Sequence, residues 1–222
     1  MRRRTLVVAP HPDDELLGCG GTLLRRKSEG SELGWLIVTG ISEEHGFSRE
    51  QVEQRDVEIE QARTGLGVDQ LYNLRLPTTR LDTLPMVDLI SSFSEVFKDF
   101  QPEEVLTPHK GDIHTDHQIV SKAVASCTKW FRHPSIKSVM AYETLSETEF
   151  GLEQNETFHP NVFIDIGSFL ERKLELLNIY ASELSDFPFP RSGTNLKVLA
   201  QLRGASAGFK AAEAFQLLRE RF

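Results

Sequence analysis

Apolar residues along this chain come in short blocks separated by polar or glycine- and proline-rich stretches. Leu6, Val7, Val8 and Ala9 form an unbroken apolar run of buried-strand character, ended by Pro10 and Pro12. Similar runs predict strands at Trp35–Thr39, Gln70–Leu76 and Glu104–Thr107, the last two running into Pro77 and Pro108. Two more are expected near residues 136–142 and 161–166. Between them the pattern predicts helices at Thr22–Glu29, closing at Gly30, and at Ser48–Thr64, with Ser48 as N-cap and Gly65 and Gly67 as its end. Pro85 begins a further helix whose Val87, Ile90, Phe93, Val96 and Phe97 recur at helical spacing and read as core. Gln118–Phe131 and Ser168–Leu184 read as helices. After a rigid aromatic loop from Phe187 to Gly193, a final helical stretch runs to Phe222. Strands alternating with helices predict βαβ units. The fold class is therefore α/β: one domain over residues 1–222, a mostly parallel, right-handed wound sheet with helices on both faces.

The titratable residues concentrate where two of these strands end. His11-Pro12-Asp13-Asp14-Glu15 follows the first strand, in a loop stiffened by its two prolines, and open α/β sheets bind ligands beyond the carboxyl ends of their strands. A turn whose acids merely cap the next helix would need one carboxylate and leave the other polar groups without a reason. The second cluster, His109-Lys110-Gly111-Asp112-Ile113-His114-Thr115-Asp116-His117, follows the fourth strand. Alone, it reads equally well as a capped helix beside exposed histidines. Together the two loops supply imidazoles and carboxylates to one sheet edge, a donor set that suits zinc and similar divalent metals. Gly18, Gly20 and Gly21 lack the spacing of a dinucleotide fingerprint, and the neighbouring acids would repel a phosphate. His45 reads as a surface histidine on a polar loop, and no role is legible for His109 or Asp112.

Composition narrows the partners. Lys+Arg 25 against Asp+Glu 33 gives a net charge of −8, which argues against nucleic acid or an anionic membrane surface as the main partner. No stretch reaches the roughly 20 apolar residues needed to span a bilayer, so no integral membrane segment is expected. The apolar run after Met1-Arg2-Arg3-Arg4 is too short for a secretory h-region. The only cysteines, Cys19 and Cys127, are too few for a disulfide framework and read as buried thiols, as in a cytoplasmic protein.

His11-Pro-Asp-Asp-Glu15 and His114-Thr-Asp-His117 resemble the two signature motifs of the LmbE-like, or PIG-L, zinc-dependent N-deacetylases. The likeness extends to Arg55, Glu58, Ala62 and Leu66-Gly67-Val68, and to Arg203-Gly204 and Ala212-Glu213-Ala214-Phe215 near the C-terminus. The resemblance implies a Rossmann-like fold and zinc-dependent removal of an acetyl group from an N-acetylated amino sugar or sugar conjugate, usually of N-acetylglucosamine type. It implies His11, Asp14 and His117 as metal ligands and Asp13 as general base. His114 would stabilise the oxyanion or protonate the leaving amine, and Asp116 would orient the His114 imidazole. Glu15, the remaining acid, reads as structural, bracing the loop. Arg55 resembles a substrate-side arginine, although an arginine on a charged helix is as often a surface ion-pair residue. Where many members carry an acid after the third strand, this chain has Pro77-Thr78-Thr79-Arg80, with Asp82 further on. An amidase of a glucosaminyl-thiol conjugate, a non-catalytic metal- or sugar-binding module and a phosphoesterase are the alternatives. The retained Asp13 speaks against a mere binder, and three clear ligands favour one metal over two. Neither the identity of the acetylated sugar nor the oligomeric state is legible.

Overall fold

A computed structural model describes residues 3–222. Seven strands form one sheet in the order β3-β2-β1-β4-β5-β7-β6. They are β1 (Arg4–Ala9), β2 (Glu32–Gly40), β3 (Gln70–Pro77), β4 (Glu104–Pro108), β5 (Ser138–Tyr142), β6 (Val162–Asp165) and β7 (Ala212–Glu220). The first five are mutually parallel, and β7 runs antiparallel between β5 and β6. Six helices pack on the sheet: α1 (Asp14–Ser28), α2 (Arg49–Leu66), α3 (Met86–Phe100), α4 (Thr115–Cys127), α5 (Leu170–Leu177) and α6 (Gly193–Ala207). None is long and apolar enough to cross a membrane.

The expected strands are found because both faces of the sheet are covered. Leu6 and Val8 enter one core layer with Phe93, Phe97 and Val120, while Val7 and Ala9 enter the opposite layer with Leu16, Trp35 and Tyr142. Buried parallel strands need no polar alternation, so they read as continuous apolar runs. Ser48 caps α2 in a box with Gln51, and Gly67, at φ 72°, ends it in the left-handed conformation.

Several boundaries differ from the expectations. The final helical stretch to Phe222 is instead α6, a left-handed Gly208 at φ 77°, and then β7. The slot between β5 and β6 decides the conformation of Ala212–Phe215, overriding a composition that suits a helix. Gly65 lies within α2, where an added Cβ would collide with Leu176. The helix predicted from Gln118 to Phe131 starts at Thr115 and stops at Cys127, leaving Trp130 and Phe131 exposed. The one predicted over Ser168–Leu184 gives way after Leu177 to a 3-10 turn, Asn178–Glu183, with Tyr180 at ψ 49°. Val87, expected in the core, is 69% exposed on the outer side of the first turn of α3.

The largest difference is in α1, which begins at Asp14 rather than Thr22 and contains the non-helical Cys19 (φ −148°, ψ 19°). Gly18 allows the helix to lie against the Tyr142 ring, which a Cβ would overlap. Backbone groups freed by the break are matched by a buried ion pair. Glu213 of β7 accepts from the amides of Gly21 (2.9 Å) and Thr22 (2.6 Å). Lys173 of α5 donates to Leu17 O (2.9 Å) and to Glu213 (2.7 Å). The amides of Gly21 and Thr22 and the Leu17 carbonyl thus each have a partner, as burial of main-chain groups requires.

Candidate metal centre and cavity

The strand order reverses direction between β1 and β4, since the chain leaves β1 toward β2 and β3 and returns to place β4 on the other side. Loops after β1 and β4 therefore border one crevice, the usual ligand position in such sheets. This is why two motifs about a hundred residues apart in sequence meet.

Three donors converge. Asp14 Oδ2 lies 3.3 Å from His11 Nδ1 and 3.2 Å from His117 Nε2, and it accepts the His11 amide at 2.8 Å. The donor atoms of His11, Asp14 and His117 all fall within 4.8 Å of one another. The far nitrogen of each imidazole is held by a second carboxylate. His11 Nε2 is 3.1 Å from Asp116 Oδ2, and His117 Nδ1 is 2.8 Å from Asp112 Oδ2, whose other oxygen accepts from Thr148 at 2.7 Å. Carboxylates behind ligand imidazoles fix their orientation and raise their basicity. Burial disfavours charge on both rings. The contacts with Asp116 and Asp14 outweigh it for His11, raised to about 9, and those with Asp14 and Asp112 outweigh it for His117, raised to about 10. The same contacts, His117 foremost, hold Asp14 well below the usual range despite its burial. Positive charge is thus favoured where the three side chains meet, and the donor set fits a divalent cation. A second triplet, His11, His114 and Asp116, is similarly close. In this one His114 Nδ1 accepts the Asp116 amide at 3.1 Å, and Asp116 accepts the amides of Thr79 and Leu81.

Asp13 departs from its neighbour through the backbone. Its φ of 131° is in a region that L side chains rarely adopt, and it is held there by bonds at both ends. Its amide donates to Glu15 Oε2 (3.0 Å), and its carbonyl starts α1 by accepting from Leu16 and Leu17. The Asp13 carboxylate consequently turns to Arg191, 3.0 Å away, while Asp14 faces the imidazoles. Burial, reinforced by the Asp14 charge and opposed by Arg191, raises Asp13 to about 7. Glu15 is fully buried and lifted well above its ordinary range by burial and by Asp13, and it braces the bend.

His114 stands at the N-cap of α4, with its ring in edge contact with His11 at 4.5 Å between centroids. Because Nδ1 accepts an amide hydrogen, the ring proton resides on Nε2. Burial, and then the charges of His11 and His117, lower this imidazole to about 4, so it is neutral at pH 7. Asp116, expected to orient the His114 imidazole, contacts that ring through its main chain. Its main-chain N–H positions His114, whereas its carboxylate serves His11 and the loop after β3. The helix starting at Thr115 explains this, because the first-turn amide of Asp116 is free to bond the cap ring while its buried carboxylate reaches His11 and the loop after β3.

A cavity of about 650 Å³ opens over these groups, lined among others by His11, Asp13, Asp14, His114, Thr78 and Thr79. The loop that departs from the family pattern therefore contributes to its wall. Arg55 also lines it, but its guanidinium is engaged by Glu58 (3.0 Å), Glu183 (2.5 Å) and the Pro12 carbonyl (3.2 Å), and it stacks on Tyr180. Sequence reasoning missed Arg191, Glu147 and Glu183, which share an ion-pair network on the same wall. Asp112 was visible in the second motif, but its role depends on which face of His117 it supports. His109 is buried against Glu156 O and Phe158, and His45 bonds Ser42; neither lines the cavity.

Comparison with known proteins places the chain in a family. An uncharacterized deacetylase, YaiS, of Escherichia coli is 31% identical over 152 residues, 65% of this chain and 76% of that protein. A diacetylchitobiose deacetylase of Thermococcus kodakarensis is 23% identical, covering 97% of this chain and 83% of its own. The crystal structure of the conserved protein TT1542 from Thermus thermophilus superposes with a TM-score of 0.77 at 27% identity, over 98% of this chain and 96% of that one. Residues 6–128, which hold both motifs, match the model of PIG-L, GlcNAc-PI de-N-acetylase, and the chain belongs to that family.

Proposed function

We propose that this protein is a metal-dependent amide hydrolase that removes the acetyl group from an N-acetylated amino sugar or sugar conjugate, zinc being the metal that its donor set suits best. The observation that carries the proposal is the convergence of His11, Asp14 and His117, with a separately aimed carboxylate, Asp13, on the wall of the same cavity. Family membership and the deacetylases among its relatives support the same reaction.

His11, Asp14 and His117 would hold the ion, which when bound supplies a Lewis acid and water of lowered pKa. Asp13, whose carboxyl is held above the ordinary range by its burial, takes the proton of the attacking water. His114, neutral and carrying its hydrogen on Nε2, is suited to donate a hydrogen bond to the developing oxyanion rather than to act as an acid. The proton then passes from Asp13 to the departing amine. Arg191 keeps the Asp13 carboxylate oriented and limits the rise in its pKa.

The test is acetate release from a panel of N-acetylated sugars, measured alongside metal content before and after chelation. Chelation should abolish release and zinc should restore it. Turnover of phosphate esters with no acetate from any N-acetyl sugar would refute the proposal.

A further inference from the structure

We infer that the cavity is built for an uncharged N-acetylated glycan, held at the mouth by Phe47 and Glu50, and that it disfavours conjugates bearing phosphate or carboxylate. This rests on the deacetylase reading and specifies its substrate class. Asp13 and Asp14 offset the charge of a divalent ion, so the rest of the wall sets the electrostatic balance. There the glutamates at 50, 58, 147 and 183 face two arginines, Arg55 and Arg191. Both arginines are already committed: Arg55 to Glu58 and Glu183, Arg191 to Asp13 and Glu147. Among the described residues no lysine lines the cavity. An entering anion would therefore lose hydration without gaining an unpaired cation, beside excess negative charge.

Helix N-termini are the other common anion sites, and those of α1, α2 and α4 border this cavity. At α1 the first turn carries Asp14 and Glu15 behind the Asp13 cap. At α2 Ser48 and Gln51 close a capping box, and Glu50 occupies the first turn. At α4 the His114 ring accepts the Asp116 amide, and Asp116 is the acid of the first turn. All three positive ends are already met by the protein's own side chains. What the mouth offers instead is Phe47, a half-buried aromatic ring on the loop before α2, and the solvent-exposed Glu50 carboxylate, which has no ion-pair partner among the described residues. An aromatic face takes the C–H face of a sugar ring, and a carboxylate accepts from its hydroxyls.

The probes are methyl N-acetylglucosaminide and N,N'-diacetylchitobiose, both uncharged, and N-acetylglucosamine 1-phosphate. Acetate release from the zinc-loaded enzyme should give the neutral probes the higher kcat/KM. Glu50→Lys should move the phosphate-to-neutral ratio upward by about tenfold, as expected for a reversed charge a few ångströms from the ligand. Glu50→Gln should move it the same way by less. Phe47→Ala should raise KM for the disaccharide with kcat nearly unchanged, the sign of lost uniform binding. A phosphate probe processed as well as the neutral ones, or a ratio indifferent to both Glu50 substitutions, would overturn the inference while leaving the deacetylase reading intact. Acetate release from none of the three, alongside turnover of phosphate esters, would remove both.

Discussion

Asp112 offers the sharpest test of the metal centre, because a single atom change removes its charge and little else. Its side chain is fully buried, with Oδ2 2.8 Å from His117 Nδ1 and Oδ1 accepting from Thr148 at 2.7 Å. In Asp112→Asn the remaining oxygen can still accept from His117. The new amide then faces the Thr148 hydroxyl, which can reverse from donor to acceptor. Geometry should survive, and the negative charge that makes His117 a strong donor is lost. Carboxylates in this position contribute about 10–100-fold to metal affinity, or about 1.4–2.7 kcal/mol at 25 °C. The assay is zinc titration in competition with a chromophoric chelator, with circular dichroism of the metal-free protein as the control for folding. His117 should also lose part of its elevated proton affinity, so zinc affinity should rise less steeply with pH than in the parent, where the ion displaces a proton held to about 10. A variant that folds normally and binds zinc within about twofold of the parent would refute this role.

Asp13→Asn should keep its metal and lose on the order of 10²–10⁴ in kcat, while Asp14→Ala should lose metal and activity together. Metal stripped by the first and retained by the second would exchange their roles. Lys173→Met strands the buried Glu213 and the Leu17 carbonyl, and urea denaturation should register a loss of about 3–5 kcal/mol; less than about 1 kcal/mol would contradict the account of the α1 break. In the metal-free protein, His11 and His117 have folded pKa values of about 9 and about 10, above the ordinary 6.5. Their stabilisation is therefore full below about pH 6.5 and disappears as pH rises through 9 to 10. Melting temperatures in chelator should fall over that range and those of zinc-loaded protein much less; identical profiles would show that the three side chains are not poised for a cation.

Much of this was legible in order along the chain. The buried parallel strands announce themselves as apolar runs stopped by prolines, and the loops after β1 and β4 are denser in titratable groups than helix capping alone requires. The parts that escaped depend on distant partners. Ala212–Phe215 is a strand only because β5 and β6 flank it. Arg191 meets Asp13 across 178 residues from a loop whose sequence suggests rigidity and nothing about charge. Asp14 and Glu15 read as loop residues because the glycines after them suggest a break, whereas Gly18 and Gly21 accommodate the Tyr142 and Ile166 side chains within the helix. The functions of Asp116 were divided between its main chain and its side chain, a distinction that residue type cannot convey.

The clip at the α1 break also sets an order of assembly. Gly21 and Thr22 wait for Glu213, 192 and 191 residues later. At typical rates of synthesis roughly 10–40 s separate their appearance. During that interval the helix that carries Asp14 has unmatched amides at its break, and the last element to pair with the sheet is the one that supplies their acceptor. A metal ion would therefore enter a nearly finished fold rather than template it. Nascent chains stalled before Ala212 should bind no zinc, and one that bound it as tightly as the full chain would reverse that order.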